Sequence, residues 1–343
     1  MNVLQILERL VRFDTIKDKN NKELFNFVES YLTDLGFKLE KKDKYLIMSY
    51  GENPTLGFIG HSDTVEYIDG WKTNPHELVE KGGNLYGLGA CDMKGGIAAF
   101  LAALQNVDLS NLKKGIKVYI TYDEETGLTG IRDIVGSGEA FPEYLIFGEP
   151  TDNIAMTACK GLFSVDLYTY GIKVHSSTPN KGRSAINLMM RLLNELEEYY
   201  NSYIKTDVNT LYDVPYTTMN IGLINGGSAR NSVAKECYSY VDFRVIDEKH
   251  ITMLKEKISE LCNKYYGKYS VYFDIIPFNN NVDFIQDKAS AGFMTEASFV
   301  HNRKRIILGV GPVTAHEIDE HVSIESLNKC INQYEEIIRK VCI

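Results

Sequence analysis

The chain has 343 residues, 44% of them hydrophobic and 24% charged, with a formal net charge of −9. That length suits more than one core; the acidic balance excludes the basic face of a nucleic-acid binder, and no run of eighteen apolar residues offers a membrane span. Six cysteines, Cys91, Cys159, Cys237, Cys262, Cys330 and Cys342, show no C-x-x-C pair, which predicts reduced thiols in a cytoplasm rather than a disulfide framework or a Cys-ligated metal.

The first residues, "MNVLQILERLVRFDTI", alternate apolar and charged positions at helical spacing and lack the apolar run of a signal peptide. "NKELFNFVESYLTDLGF" predicts a helix with Leu24, Phe27, Val28, Tyr31 and Leu35 on one face and Gly36 as its stop. The basic stretches "LEKKDKY" and "HNRKR" read as solvated loops. "KYLIMSY", "TLGFIG", "IKVYITY" and "EYLIFG" are short apolar runs that suit strands buried on both faces, with "GGIAAFLAALQNV" and "GLTGIRDIVGSG" as helices between them. This alternation predicts an α/β domain, a mostly parallel sheet with flanking helices.

The pattern changes near residue 157. "FSVDLYTYGI" and "KECYSYVDFRV" alternate as antiparallel strands with one open face, and "SAINLMMRLLNELEEYYNSY" and "KHITMLKEKISELCNKYYG" are amphipathic helices. "RIILGVG" then resumes the buried-strand pattern, and "SIESLNKCINQYEEIIRKV" closes the chain as a helix. The expected organisation is one catalytic α/β domain, residues 1–156 and 273–343, interrupted by an inserted α+β domain of four strands and two helices at 157–272.

Ligands of open α/β sheets bind outside the carboxyl ends of the strands. Each expected strand is succeeded by a carboxylate or an imidazole: His61 and Asp63 after "TLGFIG", Asp92 after "NLYGLGA", Asp123, Glu124 and Glu125 after "IKVYITY", Glu149 after "EYLIFG" and His316 beyond "RIILGVG". Adjacent acids repel without a cation, and zinc accepts imidazole nitrogen and carboxylate oxygen alike. The ligands exceed what one zinc uses, so two ions roughly 3.5–4 Å apart are expected. In H-x-D on an extended segment the two side chains share a face, so Asp63 can hold the second ring nitrogen of His61. Strand alternation sends Glu124 and Glu125 opposite ways: one can ligate while the other carries protons.

The segments "GHSDTV", "YGLGACDMKGG", "TYDEETG", "GEPT", "VHSSTP" and "AHEIDEHV" resemble, in order and over nearly the whole chain, the co-catalytic zinc amidohydrolase and peptidase family of acetylornithine deacetylase, succinyl-diaminopimelate desuccinylase and carboxypeptidase G. The resemblance implies a zinc-aminopeptidase-like catalytic domain and two zinc ions, which cobalt can replace. By it, His61 and Glu149 bind one metal each, Asp92 bridges the pair, and Glu125 and His316 complete the second. Asp63 orients His61. Glu124 is the general base for a metal-bridging water, and only the resemblance chooses it over Glu125. The inserted domain then makes a homodimer, and His175 in "KVHSSTP" stabilises the oxyanion from it. Asn231 and Arg244 match contacts for the substrate's carbonyl and carboxylate.

"AGFMTEASFV" resembles the acetylornithine deacetylase branch, where Thr295 and Glu296 would face a cationic substrate side chain. "TACKGLFSVDL" has Lys160-Gly161 where desuccinylases carry arginine. The expected activity is therefore hydrolysis of an N-acyl amino acid, N-acetylornithine or a similar N-acetyl amino acid. A desuccinylase or small-peptide peptidase is the alternative, and an inactive metal-binding homologue the non-enzyme one, against which the retained Glu124 argues. No nucleic-acid or membrane partner is expected. His76, His250 and His301 read as surface residues, His321 lacks helical spacing to His316, and Cys91 reads as a small packed residue. "GLGACDMKGG" lacks the order of a nucleotide-binding glycine loop.

Overall fold

The computed structural model describes residues 1–16, 21–287 and 289–343. The chain forms two compact units, one of Met1–Thr157, Asn280–Lys288 and Thr295–Ile343, the other of Ala158–Asn279 and Ala289–Met294.

The first unit is built on a mixed sheet whose strands run, edge to centre, Lys38–Lys42, Leu46–Tyr50, Ile116–Thr121, Leu56–His61, Tyr144–Phe147 and Lys304–Ile307. Leu56–His61 is parallel to both of its neighbours, and Lys304–Ile307 is parallel to Tyr144–Phe147. The two outer strands are antiparallel. Both basic stretches read as loops therefore belong in part to strands: Lys38–Lys42 is an edge strand, where lysine is at home, and Lys304-Arg305 opens a central one.

Helix Lys94–Asn106 crosses the sheet and is apolar all round, buried from Lys94 to Leu104, as a helix enclosed by other elements must be. It packs against helices Val3–Arg12 and Ile324–Cys342. Val3–Arg12 buries Ile6, Leu7, Leu10 and Val11, and Asn2 and Gln5 cap it reciprocally. In the core Phe58 stacks on Phe100 at 4.2 Å, with the Tyr334 ring edge-on to both. Helix Lys22–Asp34 buries Leu24, Phe25, Val28 and Leu32, while Phe27, Tyr31 and Leu35 pack only partly; its inward face is turned by one position from the expected stripe.

The second unit is a four-stranded antiparallel sheet ordered Thr218–Gly226, Glu236–Val245, Gly161–Tyr170, Gly267–Ile275. One face carries helices Ala185–Tyr199 and Glu248–Lys264, and Phe163, Val165, Leu167, Val241 and Phe243 join their apolar residues in a separate core. The unit extends past residue 272 because Phe278–Asn279 pairs with Cys159 and Ala158, and the Lys160 N–H donates to the Ala291 carbonyl. Among the described residues no helix is long and apolar enough to cross a membrane.

Candidate metal centre

Parallel strands end on one edge, and there the charged side chains collect. His61 is the last residue of its strand; Glu124 and Glu125 follow Ile116–Thr121, and Glu149 follows Tyr144–Phe147. Asp92 arrives by another route. Asn84–Tyr86 belongs to a separate three-stranded sheet with Val79–Lys81 and His321–Ser323, so Asp92 lies in the turn before helix Lys94–Asn106 rather than at the rim of the main sheet. Gly95 and Gly96 explain how it gets there. A Cβ on Gly96 would stand 2.1 Å from the Gly148 carbonyl oxygen, and one on Gly95 2.3 Å from that of Ala90. Only glycine lets the helix start press against the strand end that carries Glu149.

The result is three overlapping groups whose ligand atoms lie within 4.8 Å of one another: His61, Asp92 and Glu149; Asp92, Glu125 and His316; and His61, Glu124 and Glu125. Asp92 is common to the first two. Its Oδ1 is 3.1 Å from His61 Nε2 and its Oδ2 3.6 Å from His316 Nε2. Glu149 Oε2 stands 3.9 Å from His61 Nε2, and Glu125 Oε2 3.0 Å from His316 Nε2.

The electrostatics describe a donor set that suits a cation. Burial alone would lower the His61 pKa, but the hydrogen bond to Asp92 and the charges of Glu149, Asp92 and Asp63 hold it well above the usual value. Burial, then the Glu149 charge, raises Glu124 well above the carboxylate range. Burial likewise raises Glu149 strongly and Glu125 against the pull of His316. Glu125 pushes His316 up to about 9. Divalent ions would displace these protons and neutralise the acids together. The residues fit a metal pair.

The three adjacent acids have separate fates. Asp123 adopts φ +58 and its carboxylate accepts hydrogen bonds from the Thr126 and Thr129 hydroxyls, so it serves its own turn. Glu124 and Glu125 lie in that turn, past the strand's end at Thr121, so strand alternation does not separate them. Asp63 does. Fully buried, it accepts the Glu124 N–H on Oδ1 at 3.2 Å and the Glu125 N–H on Oδ2 at 3.1 Å. The nearest Asp63 atom to His61 Nδ1 is its backbone oxygen at 3.0 Å, with the carboxylate at 3.7 Å. The expected orienting contact is thus made by the main chain.

In the second unit His175 is exposed, and its Nδ1 accepts the Ser177 N–H at 3.2 Å. An accepting Nδ1 leaves the neutral ring's proton on Nε2, a donor. Asn231 is exposed, and its carbonyl accepts the Ser176 N–H at 2.9 Å, which sets it beside His175. Arg244 Nε donates to Asp242 at 3.3 Å.

Thr295 and Glu296, in the first unit, are both buried. Thr295 Oγ1 accepts the Ala297 N–H and caps a short turn, and Glu296 is only 1% exposed. Burial raises the Glu296 pKa to about 7, and its charge acts on Glu124 and Glu149, which places it near their cluster. His250 is likewise not at the surface: fully buried, it bridges Thr217 Oγ1 at 2.7 Å and Asp207 at 3.0 Å. Sequence reasoning gave no role to Lys94, whose buried Nζ donates to the Phe13 carbonyl at 2.9 Å, or to Glu320. Their signal was present: charged residues inside the segments "DMKGG" and "AHEIDEHV".

A sequence profile described as a peptidase dimerisation domain matches residues 157–270. The chain is 32% identical to the acetylornithine deacetylase of Pasteurella multocida, over 95% of this chain and 92% of that protein, and 30% identical to that of Photorhabdus laumondii with the same coverage. Among solved structures it resembles a Staphylococcus aureus tripeptidase, with a TM-score of 0.82 at 23% identity over 99% of this chain and 98% of that one. A dinuclear metal-binding peptidase of the M20 family from Bacillus subtilis gives 0.73 at 10%, over 99% and 97%.

Proposed function

The chain belongs to the M20 family of metal-dependent peptidases and amidohydrolases that includes acetylornithine deacetylase, and from that premise we propose that it holds two zinc ions and hydrolyses an N-acyl amino acid. N-acetylornithine or a similar N-acetyl amino acid is the substrate this reading puts first. Metal-dependent amide hydrolysis itself follows from the family. The observation that carries the rest is Asp92, whose two carboxylate oxygens face His61 and His316, one group from each side.

Bound there, divalent ions polarise the amide carbonyl and lower the pKa of water. His61 and Glu149, which share a cluster with Asp92, would hold one ion together rather than one each, Glu125 and His316 the other, and Asp92 both. Glu124 shares a cluster with His61 and Glu125 but has no imidazole partner as Glu125 does. It takes the proton of the attacking water and passes it to the departing amine, so that water and amide become a carboxylic acid and a free amino group. His175, with its proton on Nε2, can donate to the developing oxyanion, while Asn231 and Arg244 bind the substrate's carbonyl and carboxylate.

A homodimer fits the second unit. Thr218–Gly226 is an edge strand, exposed through most of its length, with Leu223 at 58% and Ile224 at 55%. An unpaired apolar edge invites a second strand. Lys160 bears on the alternative: its Nζ is turned inward to the Tyr216 carbonyl at 2.7 Å, which leaves no free cation there for a succinyl carboxylate. Six buried cysteines that form no disulfide suit a reducing cytoplasm.

The test is a hydrolysis panel of N-acetylornithine, N-acetylcitrulline, N-acetyllysine, N-succinyl-diaminopimelate and dipeptides, with metal analysis. Preference for an N-acetyl substrate and close to two zinc ions per subunit are expected. Under one ion after reconstitution, or turnover of dipeptides alone, refutes the reading.

A further inference from the structure

The turn that carries Asp92 is held by a residue from the far end of the chain. Gly89 N–H donates to Glu320 Oε2 at 2.8 Å, and Cys91 and Asp92 N–H both donate to Oε1 at 2.9 Å. The Glu320 backbone oxygen accepts the Gly87 N–H at 3.0 Å as well. Glu320 is 2% exposed. A second clasp joins the same two segments: the Cys91 thiol donates to the Pro312 carbonyl at 3.3 Å, and the Thr314 N–H contacts Cys91 Sγ at 3.5 Å. Within the turn the Ala90 N–H meets the Gly87 carbonyl at 3.0 Å and the Lys94 N–H that of Gly89 at 2.8 Å, while the N–H groups of Gly89, Cys91 and Asp92 turn to Glu320. Gly89 sits at φ +75, and a Cβ there would stand 2.7 Å from the Thr64 methyl, so the backbone follows a path that no sheet or helix ladder supports. Buried N–H groups without acceptors are costly, and one carboxylate supplies the acceptors for three.

His316 lies four residues before Glu320, and Asp92 ends the turn that Glu320 grips. The side chain therefore ties the segment of one proposed ligand to the backbone of another. We propose that Glu320 is a positioning residue: it fixes the Asp92 turn so that Oδ1 meets the His61 side and Oδ2 the His316 side at once. This rests on the reading of Asp92 as the shared ligand. It assigns Glu320 no contact with substrate or metal. A glutamine at 320 keeps the shape but replaces one acceptor oxygen by an NH2 group, which must then face either Gly89 N–H or the Cys91 and Asp92 pair.

Metal-free wild type, Glu320→Gln, Glu320→Asp and, as a control for lost charge, the exposed Glu317→Gln are titrated with cobalt(II). Calorimetry reads the two affinities, and electron paramagnetic resonance reads spin coupling between ions joined by one carboxylate. Glu320→Gln is expected to bind the second ion about 10–100-fold more weakly, the usual effect of losing a group that orients a ligand, with reduced coupling. Glu317→Gln is expected to match wild type. Should Glu320→Gln fail to fold, Glu320→Asp, which keeps the charge but draws it back by one methylene, is expected to show the same loss. Wild-type affinities and coupling in the folded variant overturn the proposal, as does equal weakening of both sites with coupling retained. If wild type itself binds one ion, or two uncoupled ions, the shared-ligand reading fails first and takes this one with it.

Discussion

Asp63 gives the sharpest test, because two roles for it predict different results. The structure makes its carboxylate the acceptor for two successive backbone N–H groups, those of Glu124 and Glu125. In Asp63→Asn only one side-chain oxygen remains, so one N–H must face an NH2 group. Leaving a buried donor unpaired costs about 1–3 kcal/mol, and the surviving bond loses its charge assistance. The metal-free protein should therefore be destabilised by roughly 2–4 kcal/mol, at about 2–4 °C per kcal/mol for a unit of this size. The turn carrying the base and a ligand should shift with it. A displacement of about 1 Å can cost on the order of 100-fold in turnover, so kcat should drop at least that far while KM changes little. Thermal unfolding after chelation, metal analysis and steady-state kinetics read these quantities. If Asp63 acted chiefly through His61 Nδ1, the variant would lose metal affinity with its metal-free stability intact. That pattern, or an unchanged protein, refutes the clamp.

Glu124→Gln should lower kcat by about 10²–10⁴-fold, the range for a general base, with metal content unchanged; Glu125→Gln should lose metal, and the reverse pattern would exchange their roles. Metal affinity should rise with pH up to about 9, because His316, pushed up to about 9 by Glu125, must release its proton to ligate; calorimetry in buffers of differing ionisation enthalpy measures the proton release. The metal-free fold should behave oppositely. His316 has a raised folded pKa, so its contribution is complete below about 6.5 and is lost as pH rises through about 9, and Glu320, raised by burial to about 7, acts in the same direction; a chelated protein with a higher midpoint at pH 9 than at pH 6 contradicts this. Leu223→Lys, on the exposed edge strand, should shift the protein toward monomer in sedimentation while leaving metal content intact, and an unchanged dimer would move the interface elsewhere.

The candidate ligands were legible because each belongs to a local signal. His61, Glu125 and Glu149 follow short apolar runs, and parallel strands deliver such residues to one edge without further instruction. The two-layer change of pattern near residue 157 was equally local, since periodicity of two or of 3.6 is written in neighbouring residues. Asp92 shows where locality ends. Its segment reads as a strand end, yet it reaches the site through a helix start that Gly96 lets press onto Gly148 and Gly95 onto Ala90, a fit visible only when the backbones are placed.

Hydrogen-bond partnership was likewise hidden until the chain was folded. Asp63 binds N–H groups some sixty positions away, and Glu320 binds one 228 residues before it. Every non-proline residue carries an N–H, so nothing in a residue's type marks which of them a distant carboxylate will hold. His250 was misplaced for a related reason: a polar side chain looks exposed in sequence, and only packing encloses it. Residue types and their local spacing settled which chemistry gathers; the folded backbone settled which charges cluster, which hold backbone N–H groups, and which are buried.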